Sequence, residues 1–283
     1  MAKSKKPPYA RGRAQCIYCG SYDQMTREHI WADWLKEYIP RDMERHSGVS
    51  ATVHSDQSKS TARVKRREGD FHAQKLKIAC KPCNTGWMSQ LQTKAKPHLV
   101  PMLIGKNISL YRAEQTTLAA WTTMFVMTAD YLDGDMVSIM PEERAWFKDH
   151  QRPPADWRIW IGRYERPATK RRWIHAVLDI VEKESEFLAS GTPQTSHAQT
   201  ATILLGEQLI VHVMSSPAMP QTVKRWNLLP AAATAMKQIW PIVRRRVDWP
   251  GTGVVDGPTV EDLALHFFRR VDAIARRFES GKT

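Results

Sequence analysis

The sequence predicts an α+β protein in two parts: a short cysteine-stapled unit over residues 14–105, then a larger mixed α+β domain over residues 111–283. Three observations predict it. The only four cysteines in 283 residues form two Cys-x-x-Cys pairs, Cys16/Cys19 and Cys80/Cys83, at the two ends of a long excursion. Apolar residues recur at helical spacing in some stretches and in short strand-like runs in others, as an α+β chain requires. There is no internal repeat and no Gly-rich phosphate loop, so repeat and nucleotide-cradling folds are set aside.

The elements follow in order. Residues 1–13 carry five basic residues and no acidic one, and read as a mobile basic arm. Residues 30–38 predict a short helix with Ile30, Trp34 and Leu35 on one side, stopped by Pro40. Residues 41–70 are polar and rich in Ser, Thr and Arg; they read as a basic loop inserted in the stapled unit, placed to lie along a polyanion. A brief strand over 76–78 enters the second cysteine pair. A helix over 84–96 follows, with Trp87 and Leu91 on one face, ended by Pro97 and Pro101. Beyond the stapled unit, a helix over 114–131 places Leu118, Trp121, Phe125 and Thr128 at helical spacing. Strands are expected at 156–164, 172–181, 201–206 and 208–216, the last two as a hairpin. A final helix over 260–278 would bury Leu263, Phe267, Val271 and Ile274.

Composition narrows the function classes. Hydrophobic content of 42% excludes general disorder. Lys and Arg outnumber Asp and Glu by 42 to 29, a net charge of +13, which predicts a polyanionic partner. No stretch approaches the roughly 18 apolar residues of a membrane span, and no apolar segment follows the basic start to make a signal peptide. The chain is therefore expected to be cytoplasmic, with nucleic acid as its partner and cysteines that bind metal instead of forming disulfides.

Two Cys-x-x-Cys turns supply four sulfurs, a complete tetrahedral shell for one zinc ion. With every position filled by Cys, no place is left for a reacting water, so this zinc is structural. Chemistry must come from Glu28, His29 and Asn84. A neutral imidazole takes a proton from water at physiological pH. A carboxylate and an amide carbonyl are the hard oxygens that Mg²⁺ or Mn²⁺ prefers. The zinc staple brings Asn84, directly after Cys83, toward the segment carrying Glu28 and His29. One geometric condition stands in the way: neighbouring strand residues point to opposite faces, so Glu28 and His29 share a site only if the chain bends or Glu28 reaches round. Asn84 has a competing use as a helix N-cap.

The pattern Cys16-Ile-Tyr-Cys19, then Glu28-His29-Ile, then Leu76-Lys-Ile-Ala-Cys80-Lys-Pro-Cys83-Asn84 resembles the zinc-stapled branch of the HNH endonucleases, whose fold is the ββα-metal nuclease domain. The Asn-bearing form is similar to phage Holliday-junction resolvases. The resemblance covers residues 14–105. It implies that His29 is the general base, that Glu28 and Asn84 bind a catalytic Mg²⁺ or Mn²⁺, and that the substrate is double-stranded DNA, with RNA left open. Where the family often has an asparagine ahead of the second cysteine pair, this chain has Lys75, suited to a phosphate contact. No second histidine follows in the helix, where position 88 is Met. These departures fit a tuned cleaver such as a nickase. The family context suggests anti-phage defence and partner proteins of a multi-component system.

Lys65-Arg66-Arg67, Lys170-Arg171-Arg172 and Arg244-Arg245-Arg246 are further candidate phosphate contacts. His175 and His212 are expected on strands facing a partner or solvent, and His72 is a lesser candidate near the site. The rival reading is a zinc-dependent nucleic-acid-binding module that cuts nothing; a structural interaction protein is the third.

Overall fold

The computed structural model describes residues 14–39, 43–54, 60–134, 137–165, 171–181, 195–206, 208–215 and 228–264. Its strands are β1 (Met25–His29), β2 (Met43–His54), β3 (Ser60–Asp70), β4 (Lys75–Cys80), β5 (Ile108–Tyr111), β6 (Arg158–Tyr164), β7 (Arg171–Val181), β8 (Thr195–Leu205), β9 (Leu209–Ser215), β10 (Met236–Trp240), β11 (Arg246–Trp249) and β12 (Val254–Val255). Its helices are α1 (Lys81–Cys83), α2 (Ser89–Leu103), α3 (Arg112–Ala129), α4 (Pro141–His150), α5 (Pro230–Ala235) and α6 (Gly257–Ala264). The α+β class is as the sequence predicts.

An eight-stranded sheet forms the body, in the order β10-β6-β9-β8-β7-β2-β3, with β12 beside β6. Its central strands are buried on both faces, and their period of two sorts the residues. Leu209, Val211 and Val213 join the core cluster that also contains α3, while Ile210 and Met214 join a second cluster with α5 and α6. Helix α3 lies under the first face and is buried all round from Leu118 to Ala129. It therefore reads as a core helix, not as an amphipathic surface one.

The cysteine-stapled unit is an antiparallel pair, β1 with β4, that runs straight into α1. Between the pairs Thr26↔Ala79 and Glu28↔Leu76, one residue of β1 faces two of β4, so β4 carries a bulge at Lys77 and Ile78. The unit has no core of its own. Tyr18, Trp31, Leu35 and Leu91 belong to the same cluster as Trp121, Phe125, Trp157 and Trp173, continuously across the division expected at 105–111. Tyr18 donates to Met124 O at 3.3 Å or shares its hydroxyl proton with Thr128 at 3.0 Å, and Trp31 packs edge-on against Phe125 at 4.7 Å. Gln92 accepts from the indoles of both Trp34 and Trp121.

Several expectations are corrected. Residues 41–70 are not a polar loop: β2 and β3 form a long hairpin, and β2 pairs in parallel with β7 over Arg45–His54. Val49, Ala51 and Val53 alternate with Gly48, Ser50, Thr52 and His54, but Arg45 and Ser47 break the apolar period on the same positions and hide it. The expected helix over 30–38 shrinks to a 3-10 turn, Asp33–Glu37, with Leu35 buried. The helix after the second cysteine pair does not end at Pro97. It continues as α2 through Pro97 and Pro101 to Leu103. Pro97 is on the exposed side, where the carbonyl it leaves unpaired can meet water. The final helix begins as α6, with Val260 and Leu263 buried; residues 265–283, like the arm at 1–13, lie outside the described residues.

Candidate metal centre

The four cysteine sulfurs all lie within 4.8 Å of one another. A tetrahedral thiolate set at the usual zinc–sulfur distance of about 2.3 Å separates its sulfurs by about 3.8 Å, so the cluster fits one zinc. Cys19 and Cys80 are 3.5 Å apart, too far for a disulfide, and all four cysteines are free. Local chemistry builds each half. In the first turn Gly20 has φ +72°, which a side chain would resist, and its N–H closes the loop on Cys16 O at 2.9 Å. In the second, Cys80 ends β4 in extended conformation and Pro82 starts the helix, so strand and helix each contribute a sulfur. Cys16, Cys80 and Cys83 are buried and Cys19 is exposed. Burial pushes the Cys83 and Cys19 thiols up. Burial acts the same way on Cys16, yet backbone hydrogen bonds at Cys80, Tyr18 and Cys19 outweigh it and hold that thiol down. Such a mixed set becomes four thiolates only against a cation.

Asn84 is not the helix N-cap. That place belongs to Cys80, and Asn84 sits one turn in, at the start of a π-type turn over Asn84–Met88 that offsets α1 from α2. Its side chain instead turns to β1, donating from Nδ2 to Thr26 Oγ1 at 3.0 Å. Thr26 and Glu28 are two apart on the strand and so share a face. Burial pushes the Glu28 carboxyl up to about 7, with the Asn84 amide opposing that rise. A partly buried carboxylate beside an amide, with burial and not a neighbouring cation governing it, fits the hard-oxygen donor set of Mg²⁺ or Mn²⁺.

His29 lies with a different group. It pairs across the strands with Lys75, and its Nε2 is 3.6 Å from Asp33 Oδ1. Burial and then the Lys75 charge lower its pKa, with Asp33 opposing them, so the imidazole is held neutral near pH 7 with a ring nitrogen able to accept a proton. Its Nδ1 is buried with no hydrogen-bond partner. The expected trio is thus divided: Asn84 reaches the Thr26 and Glu28 face of β1 through Thr26, while His29 stands at the end of the same strand with Lys75 and Asp33. Thr26 and Asp33 were missed in the sequence, although both were legible as spacing, two residues before Glu28 and four after His29.

Other expectations fare variously. Lys75 is exposed beside His29. Lys65, Arg66 and Arg67 lie on β3, their backbones opposite Gly48, Ser47 and His46, and their side chains lie outside what is described. Lys170 lies outside the described residues, and Arg244, Arg245 and Arg246 are exposed. His72 is buried with Nε2 2.9 Å from Ile39 O, which makes it a structural residue and not a phosphate contact. His175 and His212 face neither solvent nor a partner. Both are fully buried, His175 against Gln199 at 2.9 Å and His212 against Thr202 at 2.9 Å. Asp130, beside His175, holds the buried Arg144 through a 2.5 Å ion pair and accepts from Ser138 N. These polar groups answer one another inside the core. Among the described residues no helix is long and apolar enough to cross a membrane.

No protein-family model, curated protein or solved structure matches this chain.

Proposed function

We propose that the chain is a metal-dependent DNA endonuclease of the HNH type, in which His29 is the general base, Glu28 and Asn84 hold one Mg²⁺ or Mn²⁺, and Cys16, Cys19, Cys80 and Cys83 hold a structural zinc. The observation that carries this reading is that Asn84, the residue after Cys83, is tied through its amide to Thr26 at 3.0 Å, on the face of β1 that also carries the half-buried carboxyl of Glu28. A divalent ion bound there would neutralise charge on the phosphate and the leaving oxygen. His29, kept neutral by burial and Lys75, takes the proton of the attacking water. Alternation along β1 sends Glu28 and His29 to opposite faces, so this reading requires the two side chains to meet one phosphodiester round the strand end at His29. Lys75, exposed next to the base, supplies a phosphate contact. The net charge of +13 supports a nucleic-acid substrate. A role in anti-phage defence, alongside partner proteins, remains part of this proposal through the family resemblance alone.

The test is conversion of supercoiled plasmid by the zinc-loaded protein with Mg²⁺, Mn²⁺ or EDTA, beside His29→Ala checked for zinc and fold. The expected result is metal-dependent open-circle product, lost by at least about a hundredfold in the variant. DNA binding retained by both proteins with no product under either metal would instead favour a zinc-dependent binding module.

A further inference from the structure

We infer that Thr26 is a positioning residue that fixes which end of the Asn84 amide faces the divalent ion; the inference rests on the metal site proposed above. An asparagine presents a carbonyl and an NH₂ of nearly the same shape, so its hydrogen-bond partners decide their orientation. Here the partners are unambiguous. The Thr26 hydroxyl has one proton and donates it to Ala79 O at 2.9 Å. Toward Asn84 that oxygen can only accept, so the atom 3.0 Å away is Nδ2. The NH₂ group is thereby committed to β1, leaving Oδ1, the hard oxygen a divalent cation takes, as the end that faces the ion.

Thr26 is not a ligand, so its hold on Asn84 persists when the ion binds. Both ends of the hydrogen-bond chain also sit one residue from the cysteine cluster, Ala79 before Cys80 and Asn84 after Cys83. The second knuckle therefore sets the spacing between the carbonyl that anchors Thr26 and the amide that Thr26 orients.

The experiment is Mn²⁺ titration of the full-length zinc-loaded protein, read by loss of the free-ion EPR signal, for wild type, Thr26→Val, Thr26→Ser and Asn84→Ala. Thr26→Val keeps the shape and removes the acceptor. The expected result is Mn²⁺ binding weakened about 10- to 100-fold in Thr26→Val, at unchanged zinc content, and recovered in Thr26→Ser. Mn²⁺ binding by Thr26→Val as tight as wild type overturns the positioning role alone. Wild-type binding that is absent, or unmoved by Asn84→Ala, overturns the metal site and this inference with it. A second measurement needs no change at position 26: in wild type labelled with ¹⁵N-asparagine, the Asn84 side-chain protons, assigned by their loss in Asn84→Ala, should be protected from solvent exchange. Freely exchanging protons there would overturn the inference as well.

Discussion

The cysteine-stapled unit and the sheet body solve the same problem by different means. In the body, β9 is buried at every residue and its two faces feed two separate clusters, so the strands are held by apolar contact on both sides. In the unit, β1 has five residues and none of them is fully buried. A two-stranded ribbon of that size is not stable alone. What orders it is external: four cysteines that fit an ion, and aromatic docking of Tyr18, Trp31 and Trp87 onto α3 and α4. The difference teaches why a reactive site can sit in the unit. A strand that does not build the core can carry Thr26, Glu28 and His29 half-buried, within reach of solvent, whereas β9 has every residue buried.

The largest expected effect breaks that arrangement at the ion. Cys83→Ser, or a chelator, should release one zinc per chain and lower the apparent melting temperature by at least about 10 °C, since structural zinc contributes on the order of 10–16 kcal/mol to folding in small modules. Because the unit shares its core with α3, unit and sheet should melt in one transition. Proteolysis confined to residues 14–103 with an unchanged melting temperature for the sheet would show the two regions to be independent.

The next effect tests the seam itself. Phe125 touches Trp31 of the unit at 4.7 Å and Trp121 and Trp173 of the body at 5.8 and 5.6 Å. Phe125→Ala should cost about 3–5 kcal/mol in chemical denaturation. It should also release zinc at lower chelator concentration, although residue 125 is nowhere near a cysteine in sequence. Lost stability with unchanged zinc release would mean that the docking contributes nothing to the knuckles.

The two regions also differed in how much the sequence disclosed. The cysteine cluster was legible because its signal is chemical identity at fixed spacing, which survives any context. Strands β6, β7 and β9 were legible because both faces are apolar and the runs are long. The hairpin β2–β3 was not, since its partner β7 lies more than a hundred residues away and its own residues are mostly polar. Helix continuation through Pro97 was missed because whether a freed carbonyl meets water depends on the side of the helix that packs, a tertiary fact. In the candidate site, residue types were legible and grouping was not. Asn84 could have capped a helix; a bond to Thr26 on a strand 58 residues away decides otherwise.

The smallest effect sharpens the comparison through two carboxyls that burial pushes up to about 7, Glu28 in the unit and Glu143 in the body. Glu143 accepts from Trp157 Nε1 at 3.0 Å, so its environment is fixed by the core. For either group the unfolded chain loses its proton near 4.5 and the folded chain only near 7. Below the first value neither state is charged and there is no penalty. As pH rises between the two values the unfolded state binds fewer protons, so stability falls, and above 7 the loss is complete. Glu143→Gln should remove its share of this slope, so that its stability relative to wild type rises across the window by on the order of 1–3 kcal/mol. Glu28→Gln should do the same in metal-free buffer. Saturating Mn²⁺ then separates the regions. An ion held by Glu28 keeps that carboxylate charged in the folded state and should flatten or reverse its share of the slope, while the Glu143 share persists unchanged. Stability-against-pH curves for wild type and both variants, with and without Mn²⁺, read this directly. An identical response of the two carboxyls to the ion would mean that Glu28, like Glu143, is only a buried acid.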